Sequence, residues 1–167
     1  IRGTTAVNIG ARLIAHDSTN TIVRLERAGR RFLSDLGQNL DLGQNISHDL
    51  KGRVANRMAR ALFDALMTGG APWEEFFITA GLGELPSIGG VLFSGGVSEY
   101  IYSREAQAFG DLGPELGRAI RREAERRSFN ILDAGEGIRA TVIGASQYTV
   151  QLSGETIFIP ETMTLPV

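Results

Sequence analysis

Apolar residues recur at every fourth position from Ile46 through Leu50, Val54, Met58 and Leu62 to Leu66, with Lys51, Arg53, Arg57, Arg60 and Asp64 between them. This spacing predicts a helix, started by Ser47 or Asn45 as cap and ended by Gly69. A second stripe, Leu112, Leu116, Ile120 and Ala124, predicts another helix. Pro114 sits where a first helical residue belongs, and Arg126 and Arg127 sit at the end that favours cations. Extended patterns flank these helices. Thr4 to Ile9 reads as a strand, and Arg12 to Ala15 with Thr21 to Leu25 flank the turn formers Asp17, Ser18 and Asn20, which predicts a hairpin. Val91 to Phe93 reads as a short strand covered on both faces, as in a parallel sheet, and runs into a helix near Val97. Phe129 to Leu132 and the closing "ETIFIP" also read as extended. The order strand, hairpin, helix, strand, helix, strand, helix, strand argues for an α/β fold.

Two stretches are less legible. Phe32 to Asn45 contains the near-duplicate "LGQNLDLGQN", which is too short for an architectural repeat and reads as a turn-rich connection. "IRATVIGASQYTVQLSG" fits either strand or helix, and its small Gly144, Ala145 and Ser146 argue for close approach of another helix. Trp73, Phe76 and Phe77 read as packing residues.

Composition narrows the classes. The chain has 167 residues, 43% of them hydrophobic, and a mean hydropathy of −0.03; this suits one globular domain, with room for a smaller lobe beside it. No apolar run is long enough to cross a bilayer, and the default location is the cytoplasm. With no cysteine and only His16 and His48, disulfides, thiolate catalysis and the usual zinc sites are excluded. A net charge of −2 gives no general attraction for nucleic acid. The arginines nevertheless concentrate in Arg24–Arg31, Arg53–Arg60 and Arg118–Arg127. Acidic neighbours interleave with them as on solvated helix faces, the alternative being a phosphate-contacting surface. The opening "IRGTTAVNIG" reads directly as strand, so the sequence is expected to be a piece of a longer chain.

Several motifs fail on their chemistry. "GLGELPSIGG" has no lysine for a phosphate loop, and after Gly81-Leu82-Gly83 the Leu85-Pro86 pair disrupts the helix start that a dinucleotide fingerprint needs. Ser94 lacks the preceding glycine of a hydrolase elbow. "DLGQNL", "DLGQNI" and "DLGPEL" imitate the opening of an actin-like phosphate loop without its later glycines and threonine. Asp35, Asp41 and Asp111 therefore read as turn or cap residues. The remaining motif is "VLFSGGVSEY". Paired glycines after a buried strand remove two β-carbons, so a flat ligand or a phosphate can approach the backbone. Read locally, the motif is either such a cradle or a sharp strand-to-helix turn, and the turn is the simpler reading.

Three blocks occur in one family's order: "RGTTAVNIGARLIAHDSTNTIVRLERAGR", "FSGGVSEYIY" with "FGDLGPELGRAI", and "IRATVIGASQYTVQLSGETIFI". Together they resemble the reactivating factors of ethanolamine ammonia-lyase, a family of the actin, Hsp70 and sugar-kinase superfamily. The resemblance implies an α/β fold of the ribonuclease H-like, actin-like ATPase type, a mixed sheet with flanking helices. In it, residues 1–10 and 88–167 form the core of the second domain and 11–87 an inserted subdomain. It implies an ATP-dependent chaperone that releases damaged cobalamin from the adenosylcobalamin enzyme ethanolamine ammonia-lyase. Ser94, Gly95, Gly96 and Val97 match the superfamily's adenosine motif, Glu99 follows towards the ribose, and Lys51 and Asn56 lie on the inserted helix bordering adenine. The alternative for Lys51 and Asn56 is ordinary exposed helix positions. Gly144 and Ala145 match the small-residue helix between the two domains. The family's first domain and its phosphate loops are absent from this sequence. ATP with magnesium is therefore expected of the full-length protein, while this lobe alone is expected to be inactive. Ethanolamine ammonia-lyase and nucleotide are the implied partners, with nucleic acid and membrane excluded. A homodimer and a bacterial microcompartment remain open. The other functional readings are a lobe of a small-molecule kinase and a non-enzymatic assembly module.

Overall fold

A computed structural model describes residues 4–68, 73–83, 87–133 and 135. Gly69, the Gly144–Ala145 helix and the terminal "ETIFIP" strand lie outside the described residues. The hairpin forms as the turn residues require: β1 (Ile14–His16) pairs antiparallel with β2 (Ile22–Leu25). Asp17 Oδ1 accepts the Thr19 and Thr21 amides at 2.9 Å each, and Asn20 takes a positive φ of 64° at the tip. Helix α1 (Arg27–Asp35) follows, running into the stretch from Phe32 that local sequence leaves illegible, and buries Ala28, Gly29, Phe32 and Leu33. Its close approach to the chain before β1 excludes a side chain at Gly29, where a Cβ would lie 2.5 Å from the Leu13 carbonyl.

Helix α2 (His48–Thr68) starts where Ser47 Oγ accepts the Leu50 amide at 3.2 Å. Its buried face differs in one respect from the sequence stripe. A strict four-residue spacing advances by about 40° around the axis at each step, so the stripe winds off the core. Leu62 and Leu66 are only partly buried, and Ala55, Ala59 and Phe63 take over the contact. The face packs on α4 (Gly113–Arg126), which buries the predicted Leu116, Ile120 and Ala124 behind a fully buried Leu112. Pro114 is in the first turn of α4, and Asp111, one residue before the N-cap Leu112, accepts the Gly113 amide through Oδ1 at 2.8 Å, so it is a turn residue. Asp41 accepts the Leu42 amide at 2.7 Å, so it is a turn residue.

The aromatic residues pack as predicted. Phe76 stacks on Phe32 with centroids 4.2 Å apart. Trp73 donates its indole N–H to Asp64 Oδ2 at 2.8 Å and carries the Arg57 guanidinium 4.4 Å above its ring. At the far end of α2, Arg127 bonds Glu123 at 2.7 Å and Asp64 at 2.5 Å, fastening α4 to α2. Glu123 is buried, and its carboxyl is lowered to about 2, first by the Arg126 hydrogen bond and then, against the opposing effect of burial, by Arg127.

Strand β3 (Val91–Leu92) pairs parallel with β4 (Ile131–Leu132) and runs through a turn into α3 (Gly96–Ile101). The parallel pairing agrees with the sequence. The expected cover on both faces does not hold, because Leu92 is 58% exposed. Thr4–Ile9 is extended and, among the described residues, makes a single bridge, Val7 to Phe77, supported by Asn8 N to Phe76 O at 2.7 Å and Ile78 N to Ala6 O at 2.8 Å. Its backbone is engaged by a short neighbour rather than by β3. Among the described residues the chain is α/β with two two-stranded sheets. No helix among them is long and apolar enough to cross a membrane.

Candidate functional site

The turn between β3 and α3 is built by Gly95, whose φ of 86° and ψ of −176° are open only to glycine. Its carbonyl accepts the Ser98 amide at 3.1 Å and the Ser98 hydroxyl at 2.5 Å, which closes the first turn of α3. Tyr102, one residue past α3, donates its hydroxyl to the Leu132 carbonyl at 2.7 Å and accepts the Phe93 amide at 3.0 Å, so the turn is tied to both parallel strands. Around Gly95 and Gly96 the space is open: a Cβ on either would meet nothing within 4 Å. Glycine at 95 is thus demanded by the backbone, while glycine at 96 leaves room.

Two cavities flank this turn. One of about 470 Å³ is lined by Gly96, Val97 and Glu99 together with Tyr100, Phe109 and Asp111. The other, of about 540 Å³, is lined by Ser94, Val97 and Ser98 against the apolar Leu62, Leu66 and Ile101. Val97 and Gly10 border both. Gly96 and Glu99 thus line the first cavity, Ser94 the second and Val97 both, with Gly95 setting the bend between them. Phe109, Tyr100 and Arg12 escape the sequence reading, although Phe109 beside a glycine-aspartate turn was its available signal; 61% of Phe109 is exposed.

The first cavity is electronegative. Glu99, Glu105 and Asp111 line it, and Arg12 is the one cation doing so among the described residues. The Tyr100 phenol is raised above its ordinary value, first by burial and then by the charges of Asp111, Glu105 and Glu115. It stays neutral and donates to the Gln107 carbonyl at 2.6 Å. Such a cavity suits a neutral, partly flat group and disfavours a phosphate chain. No group of three or more His, Asp or Glu among the described residues is arranged to hold a metal ion. The lining is thus unfavourable to the phosphates of a nucleotide.

Lys51 and Asn56 line neither cavity. Lys51 is not an exposed helix position: it is 5% exposed, and its Nζ donates to Asn20 Oδ1 at 2.7 Å and to His16 Nε2 at 3.1 Å. The ammonium links α2 to the hairpin, which sequence spacing does not reveal because the partners are more than thirty residues away. Asn56 is exposed, and its Oδ1 accepts from Arg122 at 2.9 Å.

The family model described as ethanolamine utilisation protein EutA matches residues 1–167. The chain is similar to the ethanolamine ammonia-lyase reactivase EutA of Salmonella typhimurium, with 30% identity over the whole of this chain and 36% of that protein. It is likewise similar to the protein of the same name from Escherichia coli, with 31% identity over the same shares. This chain spans about 36% of the length of these curated relatives. No solved structure matches it.

Proposed function

Because the chain belongs to the EutA family of ethanolamine utilisation proteins, we propose that it forms the carboxy-terminal lobe of an ATP-dependent factor that reactivates ethanolamine ammonia-lyase. The factor releases damaged cobalamin so that intact adenosylcobalamin enters. The lobe is the ribonuclease H-like second domain of an actin-like ATPase, with 1–10 and 88–167 as core and 11–87 inserted. The relatives' names support the partner, and the parallel β3–β4 pair leading through a glycine turn into α3 is consistent with the fold.

The observation that carries the nucleotide part is the open glycine turn at Gly95-Gly96 between two cavities. A purine lies flat against the bare backbone at Gly96, Val97 closes its edge, Ser94 borders the second cavity, and Glu99 accepts from ribose hydroxyls. ATP supplies the phosphoryl chemistry when bound. Its phosphates belong to parts of the longer protein, since the cavity here is lined by carboxylates. Lys51 and Asn56 take no part in this site; Lys51 is held by the hairpin.

The test uses the full-length protein and a Gly96→Arg variant, whose side chain obstructs the turn. Calorimetric titration with ATP and release of cobalamin from inactivated ammonia-lyase are both expected to fail in the variant. A folded variant that keeps both overturns the nucleotide site. Phosphorylation of a small substrate in place of cobalamin release identifies a kinase instead.

A further inference from the structure

The arginine cluster of Arg24–Arg31 is not absorbed by the nucleotide reading. Arg27, Arg30, Arg31 and Ser34 lie at successive i, i+3, i+4 and i+7 positions of α1, so they share one face about 10 Å long. They line a cleft of about 520 Å³ whose other walls carry Asn8, Asn39 and Glu75 over a floor of Ala28 and Phe76. None of its lining residues borders the two cavities beside Gly95.

The cleft holds donors in excess of acceptors. The side chains of Arg27, Ser34, Asn8 and Asn39 have no hydrogen-bond partner or ion pair among the described residues. Arg30 bonds Asp41 at 2.6 Å, and Arg31 bonds Glu75 at 3.2 Å and Asp35 at 3.1 Å. These pairs are largely open to water, and a guanidinium has five N–H donors, so each arginine retains capacity for another carboxylate.

We propose that this cleft binds an extended acidic peptide segment of a partner protein. In an extended chain alternate side chains share a face and repeat at about 7 Å, so two or three carboxylates match the length of the α1 face. The donors come from α1, from the segment before it and from the loop after it, a spread that suits a strand-like ligand better than a single phosphoryl group. Nucleic acid is disfavoured. The one aromatic residue in the cleft, Phe76, is 2% exposed and offers no ring for base stacking.

The experiment is fluorescence anisotropy of a fluorescein-labelled peptide of alternating glutamate and alanine with the whole 167-residue chain. Binding is expected to weaken as salt rises from about 50 mM to above 150 mM. It is expected to weaken at least about tenfold in Arg27→Glu and by less in Arg27→Gln, while the charge-matched Arg60→Glu on α2 binds as the parent does. Arg27 is exposed and unpaired, so circular dichroism of both Arg27 variants is expected to match the parent. Peptide binding that is absent, or equal in Arg27→Glu and the parent, overturns the proposal. So does tighter binding of pyrophosphate or of a thymidine oligonucleotide that is lost with Arg27→Glu.

Discussion

The two adjacent glycines at the candidate site are chemically identical and structurally unlike, and this difference is measurable. In Gly95→Ala the new β-carbon meets no atom within 4 Å, so packing contributes nothing. The backbone is another matter, because φ 86° with ψ −176° lies in a region that alanine enters at a cost of about 1–3 kcal/mol. In Gly96→Ala the β-carbon again meets nothing, and Gly96 is the first residue of α3 with no positive φ. Alanine there reduces the freedom of the unfolded chain and is expected to stabilise by up to about 1 kcal/mol. The neighbours should therefore differ by about 1–4 kcal/mol with opposite signs. Urea unfolding followed by tryptophan fluorescence reports this through Trp73. With a slope of about 1–3 kcal/mol per molar, the two midpoints should separate by about 1 M at equal slope. A Gly95→Ala midpoint equal to the parent's, or equal shifts for both variants, refutes the assignment of the bend to Gly95.

Lys51→Met leaves the Asn20 side-chain Oδ1 and the His16 ring nitrogen without their donor, and it should cost about 1–3 kcal/mol of stability. Nucleotide affinity of the full-length protein should be unchanged; a loss of affinity without a loss of stability would return Lys51 to the binding site. The folded-state Glu123 carboxyl lies at about 2 against an ordinary 4.5, so the unfolded chain binds its proton more readily. The resulting stabilisation, up to about 3 kcal/mol, is complete above pH 4.5 and lost as pH falls towards 2. Urea midpoints across that window should fall for the parent and flatten for Glu123→Gln. Gly117→Ala raises helix propensity but places a β-carbon against Tyr100 and 3.2 Å from the Ile101 amide. Thermal unfolding should show net destabilisation of about 1–3 kcal/mol. Phe32→Ala removes a fully buried ring stacked on Phe76 and should cost about 3–5 kcal/mol in chemical denaturation.

How much of this was legible beforehand depends on the range of the interaction concerned. The hairpin, α2, α4, the turn at Asp111 and the short strand ahead of the glycine pair follow from neighbours within a few residues, since turn chemistry and helical spacing are local. So does the order of matching blocks, which is enough for family membership. Helix α1 is hidden because Arg30 and Arg31 separate its buried Phe32 and Leu33 from the small Ala28 and Gly29, and only contact with Phe76 distinguishes its apolar side. The face of α2 is a subtler case: spacing predicts a helix over the right residues, but rotation around the axis hands the core contact to Ala55, Ala59 and Phe63.

The strand-like character of Thr4–Ile9 was also written in its residues, whereas its pairing with Phe77 was not. Pairing depends on which backbone is free nearby. For the site, sequence places Ser94, Gly95, Gly96, Val97 and Glu99 in one loop because they are contiguous. Only the folded chain brings Phe109, Asp111 and Arg12 beside them, and only it turns Lys51 inward. A single ammonium on a helix looks solvated until the hairpin supplies His16 and Asn20, because burial of a charge is decided by acceptors that arrive from elsewhere in the chain.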